Sequence, residues 1–64
     1  MRDETASKQI AQRYAQVRGS LHERARRLFV ASEALAHGYG GISVVSRATG
    51  VACRTIGVGL AELR

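Results

Sequence analysis

The sequence has no proline and a single cysteine, Cys53. One thiol cannot form an internal disulfide, so helix packing must hold the chain, alone or with a partner. The missing disulfide framework fits a reducing, cytoplasmic setting. Acidic groups are scarce too. Asp3 is the one aspartate, and Glu4, Glu23, Glu33 and Glu62 are scattered along the 64 residues. That leaves no carboxylate cluster for two-metal chemistry. His22 and His37 stand 15 apart without cysteine or carboxylate at zinc-binding spacing. No cofactor, no metal site and no catalysis by this chain are expected. No apolar run approaches the roughly 18 residues of a bilayer span. The start Met1-Arg2-Asp3-Glu4 is charged and leads into no apolar signal segment, so no membrane partner is expected.

Positive charge is what the chain has in surplus. Ten Lys/Arg face five Asp/Glu, a net charge of +5, and nine of the ten cations are arginine. Such a surplus favours a polyanion, because phosphate contacts release condensed counterions. The plainer reading is a small, basic, solvated protein.

Glycines punctuate the chain at Gly19, within His37-Gly38-Tyr39-Gly40-Gly41, and at Gly50. Between them the apolar residues recur at helical spacing. Ala6, Ile10, Tyr14 and Val17 mark one face of a helix near 4–18, with Asp3 and Glu4 suited to its N-terminal dipole and Gly19 as its C-cap. Ser20 and Glu23 form a capping box for a second helix near 21–36. Its face is Leu21, Ala25, Leu28, Ser32 and Leu35, with Phe29 and Ala36 at the edge, and Glu23 and Arg27 are an i,i+4 pair. A short third helix near 43–49 points Val45 and Ala48 inward, with Val44 at the edge and Ser43 as its cap. A fourth near 53–63 carries Ile56, Leu60 and Leu63.

The expected fold is therefore all-α: one domain over 1–64, a small bundle of about four helices. Residues 1–19 form the N-terminal helix, 20–41 the second helix and Gly-rich turn, and 42–64 a helix-turn-helix. The core is expected to rest on Leu28, Val45, Val51, Ile56 and Leu60. In a helix-turn-helix the turn needs a residue that tolerates positive φ, which Gly50 supplies. Val51 directly after it plugs the gap between the helices, and Ile56, five further on, pins the second helix. Such a unit can lay its second helix in a major groove, although a plain helical hairpin has the same pattern.

Two stretches add a family resemblance. Gly40-Gly41-Ile42-Ser43-Val44-Val45-Ser46-Arg47-Ala48-Thr49-Gly50-Val51 resembles the N-terminal region of insertion-sequence DDE transposases of the Azo group, the Rhodopirellula-type transposases. The preceding Leu21-His22-Glu23-Arg24-Ala25-Arg26-Arg27-Leu28-Phe29-Val30-Ala31-Ser32-Glu33-Ala34 resembles the helix that leads into it. The likeness runs from about Leu21 to Leu63. It implies an N-terminal DNA-binding part of a transposase that recognises element ends. The catalytic RNase-H-like domain with its three acidic metal ligands has no counterpart in these residues.

The sequence departs from that pattern in the fourth segment. Ala52 replaces a serine N-cap, a loss of about 1 kcal/mol. Cys53 stands near an expected polar or basic residue. Gly57 and Val58 occupy exposed positions where arginines would read bases or grip phosphate, and Gly57 and Gly59 each cost about 1 kcal/mol in a helix.

Candidate DNA contacts are Ser43, Arg47, Arg54, Thr55 and Val58. Arg54 projects away from the Ile56 stripe, Thr55 sits in the first turn, where helix amides also hold phosphate, and Val58 can touch a thymine methyl. Ordinary solvated surface is the alternative for Arg47, Arg54 and Thr55, and Ser43 reads as a cap first and a phosphate contact second. Arg24, Arg26 and Arg27 point to different sides of one helix, as a solvated face or a phosphate clamp. Cys53 reads better as a small half-buried hydrophobe than as a reactive thiol. Two function classes remain. One is a module binding double-stranded DNA. The other is a small protein-interaction or regulator-like module, in which Ile10, Tyr14 and Val17 pair with another helix or a second copy.

Overall fold

The structure is a computed structural model that describes the backbone of residues 2–64 and the side chains from Glu4 onward. Among the described residues it contains four α-helices and no strand: α1 Arg2–Val17, α2 Glu23–His37, α3 Gly41–Thr49 and α4 Cys53–Leu63. The Asp3 side chain, and with it the expected dipole contact, lies outside the described residues. No helix is long and apolar enough to cross a membrane.

α2 is the central element and packs on α4, α3 and α1, while α1 lies mainly against α3. The core is Ile10 and Tyr14 from α1, Val30 and Ala34 from α2, Val44 and Val45 from α3, and Ile56 from α4. Val30, Val45 and Ile56 are fully enclosed. Tyr14 meets Phe29 at 6.1 Å between ring centroids, a separation at which aromatic pairs attract.

The breaks differ from the sequence expectation in instructive ways. α1 ends at Val17 and continues as a 3-10 turn, Arg18–Ser20. Gly19 is not left-handed and so is not the expected C-cap. Leu21 then runs extended (φ −100°, ψ 131°), which carries Ser20 away from the start of α2 and removes the capping box. His22 caps instead: its Nδ1 accepts the Ala25 N–H at 3.2 Å. α3 begins at Gly41, with Gly40 (φ 77°) as its N-cap, so Ser43 is an exposed residue inside the helix and not its cap.

The inward face of α2 is the largest correction. Val30, Ala31 and Ala34 are buried, whereas Ser32 and Ala36 are exposed and Leu35 is 67% exposed. Leu28 is only half-buried and stands outside the core cluster. The physical reason is the crossing with α4. A Cβ built on Gly59 would lie 2.5 Å from the Arg27 carbonyl oxygen and 2.9 Å from the Ala31 Cβ. Backbones this close require small residues at the crossing, and that turns the bulkier Leu28–Leu35 line outward. Likewise a Cβ on Gly41 would overlap the Ala34 carbonyl.

The α1 stripe is consumed within the chain. Ile10 is 2% and Tyr14 8% exposed, with Val17 half-buried. Ile10 and Tyr14, the two largest side chains of the stripe expected to pair with a second chain, are thus spent on this chain's own core.

Candidate nucleic-acid interface

The segment α3–turn–α4 has the helix-turn-helix construction that the spacing predicts. Gly50 closes α3 in the left-handed region (φ 78°, ψ 1°), its N–H donating to the Ser46 carbonyl at 2.9 Å. Only glycine adopts this backbone without a steric penalty. Val51 is half-buried against the core and Ile56 fully buried. Thr49 adds a clamp that the spacing argument missed. Its hydroxyl donates to the Val45 carbonyl at 2.8 Å and accepts the Val51 N–H at 3.2 Å, holding the turn to the last turn of α3. A threonine directly before the turn glycine was the available signal, since its short hydroxyl can reach nearby backbone.

Ala52 caps α4 without a side-chain hydrogen bond. Past it, α4 divides sharply. Ile56 and Gly59 face the core, and Leu60 packs at its margin. Arg54 and Val58, one turn apart, are both exposed on the outside. Cys53 is exposed, not half-buried as expected, because the first residue of α4 sits at the surface. On α3, Ser43 and Arg47 share one exposed face at i,i+4.

The five candidate contacts therefore lie on separate surfaces. Arg54 and Val58 form the outer face of α4. Thr55, also exposed, turns toward α2 and lines a cleft of ≈ 230 Å³ with Tyr14, Glu23, Arg26, Arg27 and Val51. Ser43 lines a different groove of ≈ 420 Å³, among Leu35, Ile42, Leu60 and Arg64.

The arginines of α2 are more ordered than a solvated face. Arg27 donates to Glu62 through Nε (2.5 Å) and Nη2 (3.2 Å), and Arg24 reaches the same carboxylate at 3.4 Å. The hydrogen bond from Arg27 is the main reason the Glu62 carboxyl is held below the usual glutamate range, and the same contact raises the Arg27 guanidinium. Arg27 thus takes Glu62 across the α2–α4 crossing, and Glu23 acts on it only through its field. Arg13 forms a two-pronged pair with Glu33 at 2.6 and 2.8 Å, joining α1 to α2. Arg26 donates to the Arg18 carbonyl at 3.2 Å, and Arg18 lies 5.7 Å above the Tyr14 ring. The ion pairs to Glu33 and Glu62 left no trace in sequence spacing, because their partners are 20 to 38 residues apart.

No group of three or more histidine, cysteine or acidic side chains gathers among the described residues. Set against protein-family models, curated proteins and solved structures, the chain matches none.

Proposed function

We propose that the chain is a DNA-binding module whose helix-turn-helix is α3, the Gly50-Val51-Ala52 turn and α4. In this reading it is the N-terminal fragment of a transposase, working in the cytoplasm, built like the part that recognises element ends but with that sequence readout largely lost from α4, and with catalysis left to another domain. The observation that carries the reading is the coupling of a left-handed Gly50 turn to an α4 whose outer face is uncovered. The stretch that carries the transposase resemblance, Gly40 to Val51, makes up α3 and its turn. The net charge of +5 supplies long-range attraction to phosphate.

The outer face of α4 limits the mode of binding. Gly57 and Val58 cannot form bidentate hydrogen bonds to base edges, and Arg54 is the one side chain there suited to guanine, a contact of about 1–3 kcal/mol. Binding is therefore weak, phosphate-dominated and nearly indifferent to sequence. The test is fluorescence anisotropy of random duplexes across a salt series. Affinity is expected to fall steeply with salt, and replacing Gly57 and Val58 by arginine should tighten it. Salt-insensitive binding, or none at low salt, would reject the reading.

A second reading has its own observation. Leu35 (67% exposed) lines the ≈ 420 Å³ groove between the end of α2, the Gly-rich turn and α4 together with Ile42 and Leu60, and Tyr39 and Leu63 are also exposed. An apolar patch of this kind suits a protein partner. Association through it would persist at high salt, which separates the two readings in the same titration.

A further inference from the structure

We propose that the cleft between α2 and the start of α4 is a binding site for a DNA backbone phosphate, with Arg26 and Arg18 as its cationic grip. This rests on the DNA-binding reading and names a contact set that α4 alone does not supply.

The cleft lies beside the helix-turn-helix. Val51 comes from the turn and Thr55 from the first turn of α4, while Arg26, Arg27 and Glu23 come from α2 and Tyr14 closes the floor. A helix seated in a major groove has a sugar-phosphate strand along each flank. Thr55 stands on the α2 flank of α4, so the strand on that side passes over this cleft.

The arginines around it divide by their existing partners. Arg24 and Arg27 are committed to Glu62. Arg26 uses Nε on the Arg18 carbonyl, and its two terminal nitrogens have no hydrogen bond to the chain among the described residues. That bond fixes the guanidinium at the cleft while leaving free the forked edge that matches phosphate oxygens. Arg18, held over the Tyr14 ring, forms no ion pair among the described residues. The one opposing group in the cleft without such a bond is Glu23, which is exposed. Arg26 and Arg27 stand against Glu23 in the cleft lining, and Arg18 adjoins it over the Tyr14 ring, so positive charge is in excess there.

The experiment is the same duplex anisotropy with Arg26→Gln, Arg18→Gln and Glu23→Gln, each checked for an unchanged helical melting curve. Each arginine variant is expected to lower the slope of log K against log salt by about 0.9 and the affinity at 0.1 M salt about tenfold, equally for all sequences. Glu23→Gln is expected to tighten binding, a direction that a damaged fold cannot produce. If the parent chain binds no DNA at low salt, the DNA-binding reading itself falls. If the parent binds with a steep salt slope but Arg26→Gln keeps that slope and Glu23→Gln gains nothing, the cleft is overturned and the wider reading stands.

Discussion

α4 carries two glycines two positions apart, Gly57 and Gly59, and their surroundings differ. Gly59 is buried where α4 crosses α2, with the Arg27 carbonyl and the Ala31 methyl at the distance a side chain would need. Around Gly57 a Cβ would meet nothing within 4 Å. By propensity alone the two are identical weak points in one short helix. Packing makes one a requirement of the fold and leaves the other, half-buried and not exposed as the sequence suggested, with open space where a side chain would begin. The same division runs through the whole helix, with Ile56 at 0% exposure on the inside and Val58 at 48% on the outside.

The most forceful way to test that division is at its inner centre. Ile56→Ala should lower stability by about 2–5 kcal/mol. A domain of this size has only about 3–10 kcal/mol in total, so the variant is expected to be largely unfolded in thermal or urea melts. A melting curve equal to that of the parent would place Ile56 outside the core.

The glycine pair gives a sharper comparison with smaller effects of opposite sign. Gly59→Ala forces apart two backbones in close contact and should destabilise by about 1–3 kcal/mol, as overpacking does. Gly57→Ala fills open space and removes a helix penalty, so it should stabilise by up to about 1 kcal/mol. Paired urea denaturation curves decide this. Equal shifts in the same direction would mean that α4 does not cross α2 closely at Gly59.

The smallest effect concerns the rim of the same crossing. The folded Glu62 carboxyl is held below its ordinary value, first by the Arg27 hydrogen bond. A depressed carboxyl contributes stability above the ordinary glutamate range and loses it as pH falls through the depressed value. The melting-temperature gap between the parent and Glu62→Gln should therefore be widest near neutrality and close in acid. Exposed pairs contribute little and are screened by salt, so the gap should also narrow in high salt. A gap that is constant with pH would show that Glu62 acts through packing and not through its charge.

How much of this could be read beforehand depends on the range of the forces involved. The bounds of α4, the left-handed role of Gly50 and the burial of Val45 and Ile56 were legible, because each follows from short-range rules within one segment. The starts of α2 and α3 were not. Ser20 satisfies a capping pattern in sequence, but the extended Leu21 displaces it and the His22 ring takes its place. Of the proposed contacts, Arg47 and Arg54 are exposed as the sequence suggested, whereas Arg26 was indistinguishable from its neighbours until Arg18 and the cleft were placed beside it.

The sequence by itself determined four helical segments, their glycine breaks, a basic surplus and a helix-turn-helix spacing. Helical periodicity and backbone sterics act over a few residues and need no tertiary context. Only the tertiary structure decided which side of α2 faces inward, where Leu35 emerges at 67% exposure, and which arginines are held by Glu33 and Glu62. Several apolar lines on α2 had the right period. The choice fell to Ala31 and Ala34, because helices that approach closely gain more contact from small residues at the crossing than from burying one more leucine.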